Sequence, residues 1–248
     1  MDFKNGTTKE IEKLASHVTN FTGSQKIGET LKLKLKLMDD DKLLFLHGSK
    51  FERKFKRGFD KRDTKSGIFL NYGNMRKKVM FMKSVRRVNY THNNMCSVIE
   101  LKLDNNDRLL IFLPNERKNY KDLISHLNYV KMNEIMESMK ERMVDIRIPK
   151  FSLICEKTSE SLRSHEDMYH LATTASMSDM SDGYGFHLSS VMSTISFQID
   201  EEGIKVYSIT TSTGRSKSVT FNCNHPFIFF VLSAKDNLCL LLGVIENL

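Results

Sequence analysis

The sequence predicts an α+β fold with mixed and antiparallel sheets and a few helices. One amphipathic helix comes first, followed by several strand-like segments, two further helices and more strands. This grouping is typical of α+β proteins, whereas α/β proteins alternate helices and strands. No internal repeat is present. A chain of 248 residues with 40% hydrophobic content can bury one substantial core, so we expect a single domain over residues 1–248.

The N-terminal part is predicted to contain a helix and two strands. Thr7 and Glu10 have the spacing of a capping box. The apolar residues that then recur on one helical face are Ile11, Leu14, Val18 and Phe21. The alternation of Leu and Lys over Leu31–Leu37 predicts a half-buried strand, and the apolar run Leu43–Phe51 predicts a more buried one.

The central part is predicted to form short strands and then two helices. The strand candidates are Ile68–Leu70, Lys78–Met82, Val85–Thr91 and a hairpin of Ser97–Leu103 with Leu109–Leu113. Helical periodicity predicts helices over Tyr120–Val130 and Asn133–Met143. Val144–Leu153 follows as a strand that Pro149 places at an edge or a bulge. Residues 155–187 are polar and weakly periodic, which predicts a loop with short helices.

Three strands are predicted near the C-terminus, at residues 191–199, 226–232 and 238–245. We expect their alternating apolar residues to lie in the core: Phe197, Ile199, Phe227, Phe229, Leu240 and Leu242. The polar segment Ile204–Thr220 separates the first two strands. Because it is longer than most connections in compact domains, it is either functional or disordered, and we expect it to be exposed.

No catalytic motif is present in the sequence. A Gly-rich phosphate-binding loop, a Gly-x-Ser-x-Gly elbow and a His-x-x-x-His pair are all missing. The cysteines have neither metal-ligand nor redox spacing: Cys96, Cys155, Cys223 and Cys239. His165 and His170 are better explained by a solvated loop than by a metal site. We therefore expect a non-enzymatic protein without a cofactor, a metal or a small-molecule substrate.

Positive charge is concentrated between Lys50 and Arg87, a stretch that contains 14 Lys and Arg residues and three acidic residues. Two interpretations remain open, a solvated basic surface and a site for a heparin-like polyanion or nucleic acid. No nucleic-acid-binding motif accompanies these residues, which favours the solvated surface. The residues of a polyanion site would be Arg53, Lys54, Lys56, Arg57, Arg76, Lys77, Lys78, Arg86 and Arg87.

Two short motifs border the polar segment, Glu201-Glu202-Gly203 before it and His225-Pro226-Phe227 after it. In this order and at nearly this separation they resemble the two borders of the exposed reactive loop of serpins. The resemblance extends over nearly the whole chain. The other matching stretches are Phe3–Asn5 with helix 8–21, Phe51–Thr64 with Phe55 where a Trp is usual, the hairpin of Val98–Leu103 with Leu109–Glu116, and Val144–Phe151, which is close to the serpin Val-x-(Val/Leu)-Pro-Lys-Phe strand.

The resemblance implies a serpin-like fold that lacks its N-terminal helices, because the chain starts where those helices and the early strands would already be complete. It also implies an inhibitor of serine-type endopeptidases. A protease cleaves the exposed loop, residues 204–220, which then inserts into the main sheet as a new strand. By count from Gly203 the cleaved bond joins Lys217 to Ser218, and the alternative joins Arg215 to Ser216. A basic residue at this position suits a trypsin-like protease.

The resemblance places the hinge of the loop at Glu201, Glu202, Gly203 and Ile204. Inhibitory serpins carry Thr and a run of small residues after Glu-Glu-Gly, whereas Ile204, Lys205, Val206 and Tyr207 follow here. Insertion requires alternate hinge side chains to enter the core, and the pattern allows it only with both Lys205 and Tyr207 facing outward. We expect this departure, and still more the absence of the N-terminal third of the serpin fold with its early strands, to hinder trapping of the protease. The alternative is a non-inhibitory serpin relative that acts as a binding protein, for polyanions through residues 50–87.

The sequence also bears on location. No apolar run reaches transmembrane length, and the residues after Met1 lack the apolar region of a signal peptide. We therefore expect a cytoplasmic protein that does not enter membranes, and an extracellular one if a longer form exists. The glycosylation sequons at Asn5, Asn20 and Asn89 are attributed to chance in a sequence rich in Asn and Thr.

Overall fold

A computed structural model describes residues 7–22, 25–34, 44–50, 53–117, 120–158, 190–202 and 218–248. The chain divides into two compact units. The first comprises Met1–Glu52 and Ser152–Phe197, and the second comprises Arg53–Phe151 and Gln198–Leu248. The elements are, in chain order, α1 (Thr7–Thr22), α2 (Gln25–Lys34), β1 (Leu44–Lys50), β2 (Lys65–Asn71), β3 (Met75–His92), β4 (Cys96–Lys102), β5 (Arg108–Pro114), α3 (Tyr120–His126), α4 (Tyr129–Ser138), β6 (Lys140–Pro149), β7 (Phe151–Thr158), β8 (Ser190–Ile199), β9 (Val219–Asn222), β10 (Phe227–Leu232) and β11 (Cys239–Ile245).

The first unit combines two packed helices with a three-stranded sheet. Helix α1 packs on α2 around Ala15 and Leu31, which are both buried. The two helices come close at Gly28, where a Cβ would lie 2.9 Å from the carbonyl oxygen of Ala15. The strand order is β1-β8-β7, and β1 pairs with β8 in parallel from Leu44 opposite Ser190 to Lys50 opposite Ser196.

Two expectations for this unit are wrong. The segment Leu31–Leu37 was expected to form a strand, but its first four residues belong to α2. Leu and Lys are both good helix formers, and Leu31 gains a buried contact with α1 in the helical conformation. Phe21 was expected to share the packed face of α1, but it is 83% exposed because the contact with α2 centres on Ala15, further from the end of the helix.

The second unit is built on an eight-stranded sheet. Seven strands follow the order β11-β10-β5-β4-β3-β6-β9, and β2 pairs with β3 outside this path. Strand β3 has 18 residues and joins the two candidates Lys78–Met82 and Val85–Thr91 into one strand. It pairs with β2 near its start, with β6 through its middle and with β4 at its end. This long strand therefore connects the two ends of the sheet.

Helices α3 and α4 cover one face of β4, β5 and β10. The buried residues of this core cluster are Cys96, Val98, Leu110, Phe112, Leu123, Ile135, Ile228 and Leu232. The predicted helix Tyr120–Val130 ends early because Asn128 caps α4 through a hydrogen bond from the N–H of Lys131. The predicted helix Asn133–Met143 also ends early, at Ser138, and β6 starts at Lys140.

The predicted core of the C-terminal strands is only half correct. Ile199, Phe227 and Phe229 are buried, and the side chain of Phe197 lies outside the described residues. Leu240 and Leu242 are 38% and 55% exposed, so the prediction for them is wrong. Gly243 lies opposite Phe229 in the β10–β11 pair, and a Cβ there would lie 2.3 Å from the ring of Phe229, so Gly243 is on the same buried sheet face as Phe229. Alternation then directs Leu240 and Leu242 away from the core.

Candidate functional site

Strand β8 ends in a short turn that precedes the polar segment 204–220. We call residues Ile199–Glu202 the loop base. Ile199 is buried, and one carboxylate oxygen of Asp200 accepts the backbone N–H of Glu202 at 3.0 Å. Asp favours such turns because its short side chain reaches the backbone two residues further on. The path of the chain is therefore fixed as far as Glu202.

The carboxylate of Glu201 is the buried anion of the loop base, and the residue is 4% exposed. Lys150 donates to its Oε2 at 2.8 Å, and the hydroxyl of Thr64 donates to its Oε1 at 2.8 Å. Burial alone would raise the pKa of this carboxyl, but the hydrogen bonds from Lys150, the backbone and Thr64 outweigh burial and lower the pKa. Both oxygens of the buried charge are thus satisfied.

The backbone of the loop base is held by the segment 55–59. The N–H of Phe59 donates to the carbonyl oxygen of Glu201 at 2.7 Å, and the N–H of Phe55 donates to that of Glu202 at 3.3 Å. A Cβ at Gly58 would lie 2.8 Å from the carbonyl oxygen of Glu201. Glycine is therefore needed at position 58 because two backbones approach each other closely there.

Two aromatic rings fix this segment in turn. The rings of Phe55 and Phe59 meet edge to face with 5.4 Å between their centroids, and both are buried. The ammonium of Lys61 lies 2.7 Å from the carboxylate of Glu202. The lysine side chain is 54% exposed, so this pair is expected to add less stability than the contacts of the more deeply buried Glu201.

On the other side of the polar segment the chain returns to the sheet of the second unit. Ser218 is exposed, and β9 pairs in parallel with β6 from Val219 opposite Val144 to Asn222 opposite Arg147. Phe221 is buried and attaches β9 to the core. Residues 219 and 220, expected in the loop 204–220, therefore belong to β9.

The His-Pro-Phe motif forms a buried corner after β9. Nε2 of His225 lies 2.9 Å from the carbonyl oxygen of Pro114, and Nδ1 lies 2.9 Å from Oδ1 of Asn224. Burial lowers the pKa of His225, although the hydrogen bond with Pro114 partly opposes this. The imidazole therefore ties β5 to the corner before β10.

The predicted hinge and reactive-bond residues are placed in part. Glu201 and Glu202 lie in the loop base and make the contacts described above. Ser218 is exposed immediately before β9. The others lie outside the described residues: Gly203, Ile204, Arg215, Ser216 and Lys217.

The predicted polyanion-binding residues differ in their surroundings. The guanidinium of Arg53 lies 2.7 Å from the carboxylate of Asp107. Arg86 is buried, whereas Arg87 is exposed and lies 3.6 Å from Glu141. The remaining exposed members are Lys56, Arg57, Arg76, Lys77 and Lys78, and Lys54 is half-buried.

Sequence reasoning did not identify the partners of Glu201. Thr64 and Lys150 lie in stretches that the family resemblance singled out, Phe51–Thr64 and Val144–Phe151, so a motif signal was present. They are 137 and 51 residues away from Glu201 along the chain. Their meeting depends on the tertiary fold and has no local pattern.

The polar contacts described above hold segments of the chain to one another. The described residues contain no group of three or more His, Cys, Asp or Glu side chains that could hold a metal ion. Burial raises the pKa of the Cys96 thiol to about 11 and that of Cys223 well above its ordinary value, so both thiols are unreactive. None of the described helices is long and apolar enough to cross a membrane.

Comparison with known sequences gives a family. The family model for Serpin (serine protease inhibitor) matches residues 1–248. Human Serpin B3 is 26% identical over 98% of this chain and 65% of its own length. Intracellular coagulation inhibitor 2 of Tachypleus tridentatus is 23% identical over 84% of this chain and 53% of its own length. The chain therefore spans less than two thirds of the length of these relatives.

Solved structures share the fold. Uncleaved ovalbumin matches 100% of this chain with a TM-score of 0.84 and 19% identity, over 65% of its own chain. Thyroxine-binding globulin in complex with thyroxine matches with a TM-score of 0.82 and 19% identity, over 66% of its own chain. The family match covers every residue, and the fold agrees. Glu201 and Glu202 lie just before the polar segment, and the His-Pro-Phe motif follows β9, the strand that comes after it. The chain belongs to the serpin family.

Proposed function

We propose that this chain inhibits a serine-type endopeptidase by offering residues 204–218, the predicted loop 204–220 without the two residues that belong to β9, as bait to a trypsin-like protease. The bond attacked joins Lys217 to Ser218, with the bond from Arg215 to Ser216 as the alternative. The observation that carries the proposal is the attachment of the chain on both sides of this segment. Glu201 is buried and paired with Lys150 before it, and β9 is paired with β6 after it.

Attachment at both sides supports a bait function on physical grounds. A protease cleft binds an extended stretch of chain, and binding costs less entropy when the ends of that stretch are already in place. A Lys or Arg side chain suits a specificity pocket with a carboxylate at its floor. The family description, serine protease inhibitor, supports the same class of partner.

Trapping requires the cleaved segment to enter the sheet beside β8. A strand that folds back from β8 must replace one of its two neighbours, β1 or β7. A strand inserted between β1 and β8 would separate this parallel pair, and parallel pairing is slightly less stable per residue, so this is the pair that we propose to open. Ile204 and Val206 then face the core while Lys205 and Tyr207 face outward.

Incubation of the purified chain with trypsin tests the proposal. A complex that survives SDS and has the summed mass of both proteins supports inhibition, and simple cleavage contradicts it. Trypsin with a blocked active-site serine is the control, because it binds but cannot form the covalent complex. The Lys217→Gln and Arg215→Gln variants, tested separately, identify the bond by mass spectrometry of the released peptide.

Polyanion binding is a second candidate function. If trypsin cleaves the chain without forming a complex, the chain would be a non-inhibitory protein that binds polyanions. The observation in its favour is the exposure of Lys56, Arg57, Arg76, Lys77 and Lys78 in one basic stretch. Elution from a heparin column at a salt concentration well above that of a cation exchanger supports this function, and equal elution contradicts it.

We further propose that the chain acts inside the cell. The relative from Tachypleus tridentatus carries the name intracellular coagulation inhibitor, and this supports the same location here. Fractionation of the producing cells tests the proposal, because recovery of the protein from the medium with sugar on Asn89 would contradict it.

A further inference from the structure

The second unit contains a pocket of about 210 Å³ beside the long strand β3. Ten residues line it, from the segment after Arg53, from β3, β4 and the start of β6: Lys56, Arg57, Arg86, Arg87, Val88, Asn89, Glu100, Leu101, Lys102 and Glu141. Five of these side chains are basic and two are acidic. We call this the basic pocket.

Arg86 is the buried cation of the basic pocket, with 4% of its surface exposed. It donates to the carbonyl oxygens of Arg57 and Gly58, and its guanidinium carbon lies 4.5 Å from the centre of the Phe59 ring. Its Nε has no hydrogen-bond partner and is buried. Among the described residues no carboxylate forms an ion pair with it. A buried charge without a counter-charge is costly.

The electrostatics show the same imbalance. Burial, and secondarily repulsion by Arg57, lowers the pKa of Arg86 to about 10. Carbonyl dipoles and an aromatic ring stabilise a guanidinium less than an anion would. Arg86 therefore lacks the anionic partner that would offset the desolvation of its guanidinium.

The two acidic residues of the pocket do not supply this partner. Glu100 accepts a hydrogen bond from Asn89 at 3.1 Å. It also lies 3.3 Å from Arg108, which is not one of the residues that line the pocket. Glu141 pairs with Arg87 at 3.6 Å, and both side chains are more than 60% exposed, so this pair is weak and can rearrange. The lining keeps a positive excess.

We propose that the basic pocket binds a tetrahedral oxyanion, a sulfate or phosphate group, with Arg86 at its floor and Lys56, Arg57, Arg87 and Lys102 around it. A guanidinium fork matches the oxygen geometry of such groups. The proposal rests on the second candidate function and narrows it from a basic surface to one pocket. The ligand is the sulfate of a glycan or the phosphate of a phosphate ester, and the two share this chemistry.

Titration calorimetry on the full chain tests the proposal with two probes, a trisulfated heparin disaccharide and inositol hexakisphosphate. Saturable binding of either probe is expected, and tighter binding of one identifies the source. The Lys102→Gln variant should bind about tenfold more weakly, as expected when one charge-assisted hydrogen bond is lost. The Lys77→Gln variant removes an equal charge from the same basic stretch outside the pocket, and its affinity should match that of the parent.

The controls distinguish failure of the pocket proposal from failure of the second candidate function, polyanion binding. Arg86→Lys keeps the charge but loses the fork, and should also weaken binding while the chain remains folded by circular dichroism. Equal weakening by Lys102→Gln and Lys77→Gln would overturn the pocket and leave diffuse polyanion binding standing. If neither probe shows saturable binding while the heparin column still retains the chain, the pocket is also overturned and diffuse polyanion binding stands. If the column does not retain the chain but a probe binds in the pocket, the second candidate function fails and the pocket stands.

Discussion

The ammonium of Lys150 lies 2.8 Å from the carboxylate of Glu201, and this contact joins the end of β6 to the residue that precedes the polar segment. The lysine is 40% exposed while the carboxylate is 4% exposed. The carboxylate therefore bears most of the desolvation cost, and the lysine compensates for it. Thr64 supplies the second hydrogen bond to the same carboxylate.

The first prediction follows from this contact. Lys150→Met keeps the aliphatic stem but leaves a buried carboxylate oxygen without a donor, so we expect the free energy of unfolding to fall by about 1–3 kcal/mol. Urea denaturation measures it. The control is Lys131→Met, because Lys131 pairs with Glu134 on the surface of α4 and its loss should cost less than about 1 kcal/mol. Equal losses in both variants would show that the Glu201 contact is no stronger than a surface pair.

The second prediction concerns the pH dependence of this loss. The pKa of Glu201 is lowered in the folded state from an ordinary value of 4.5. Its stabilising contribution is therefore fully present above pH 4.5 and disappears as the pH falls through the lower folded value. The cost of Lys150→Met should accordingly shrink when unfolding is measured in steps from about pH 7 to about pH 3. A cost that does not change with pH would exclude the ion pair as its origin.

The loop base could be located from the sequence, but its energetics could not. The motif Glu201-Glu202-Gly203 indicated where the polar segment begins, because a short sequence pattern is enough to identify the border of the reactive loop in serpins. The partners Thr64 and Lys150 come from distant strands and turns, so no local periodicity reports them. Gly58 is a similar case, because its close approach to Glu201 is visible only in the fold.

The fold shows the same division between local and tertiary signals. Strands β5 and β10 were predicted because their apolar runs are continuous, and the structure buries them. The run Leu31–Leu37 misled because alternation of Leu and Lys fits a strand face, while contact with Ala15 selects a helix. The core assignment of Leu240 and Leu242 failed because periodicity gives the alternation of a strand but not which face is covered.

The third prediction uses the buried His225. Burial holds its pKa below the ordinary value of 6.5, so the unfolded chain takes up this proton at a higher pH than the folded chain. Stability should therefore decline as the pH falls below 6.5, until the folded pKa is reached. His225→Gln can still donate to the Pro114 carbonyl and should flatten this decline in urea titrations. His92→Gln replaces an exposed histidine and serves as the control.

The fourth prediction tests the close approach at Gly58. In Gly58→Ala the new Cβ would lie 2.8 Å from the Glu201 carbonyl oxygen, so the two backbones must separate. We expect a loss of about 1–3 kcal/mol and faster hydrogen exchange of the Phe59 amide, which donates to that carbonyl. Ser66→Ala, at an exposed position of β2, is the control and should change neither quantity. Unchanged exchange at Phe59 would mean that the contact is easily relieved.

The last prediction concerns the exposed face of β11. This strand ends the described sheet, and Leu240, Leu242 and Val244 all project from it into solvent. An apolar row at a sheet edge promotes association between copies of a chain. Leu242→Lys should therefore raise the concentration at which the protein aggregates and alter the unfolding free energy by no more than about 0.5 kcal/mol. Leu110→Ala, at a fully buried site in β5, should cost about 2–5 kcal/mol under the same conditions. If Leu242→Lys destabilises the protein as strongly as Leu110→Ala, the face of β11 is covered in solution and Leu242 belongs to an interface. Light scattering and urea denaturation on the same samples distinguish these outcomes.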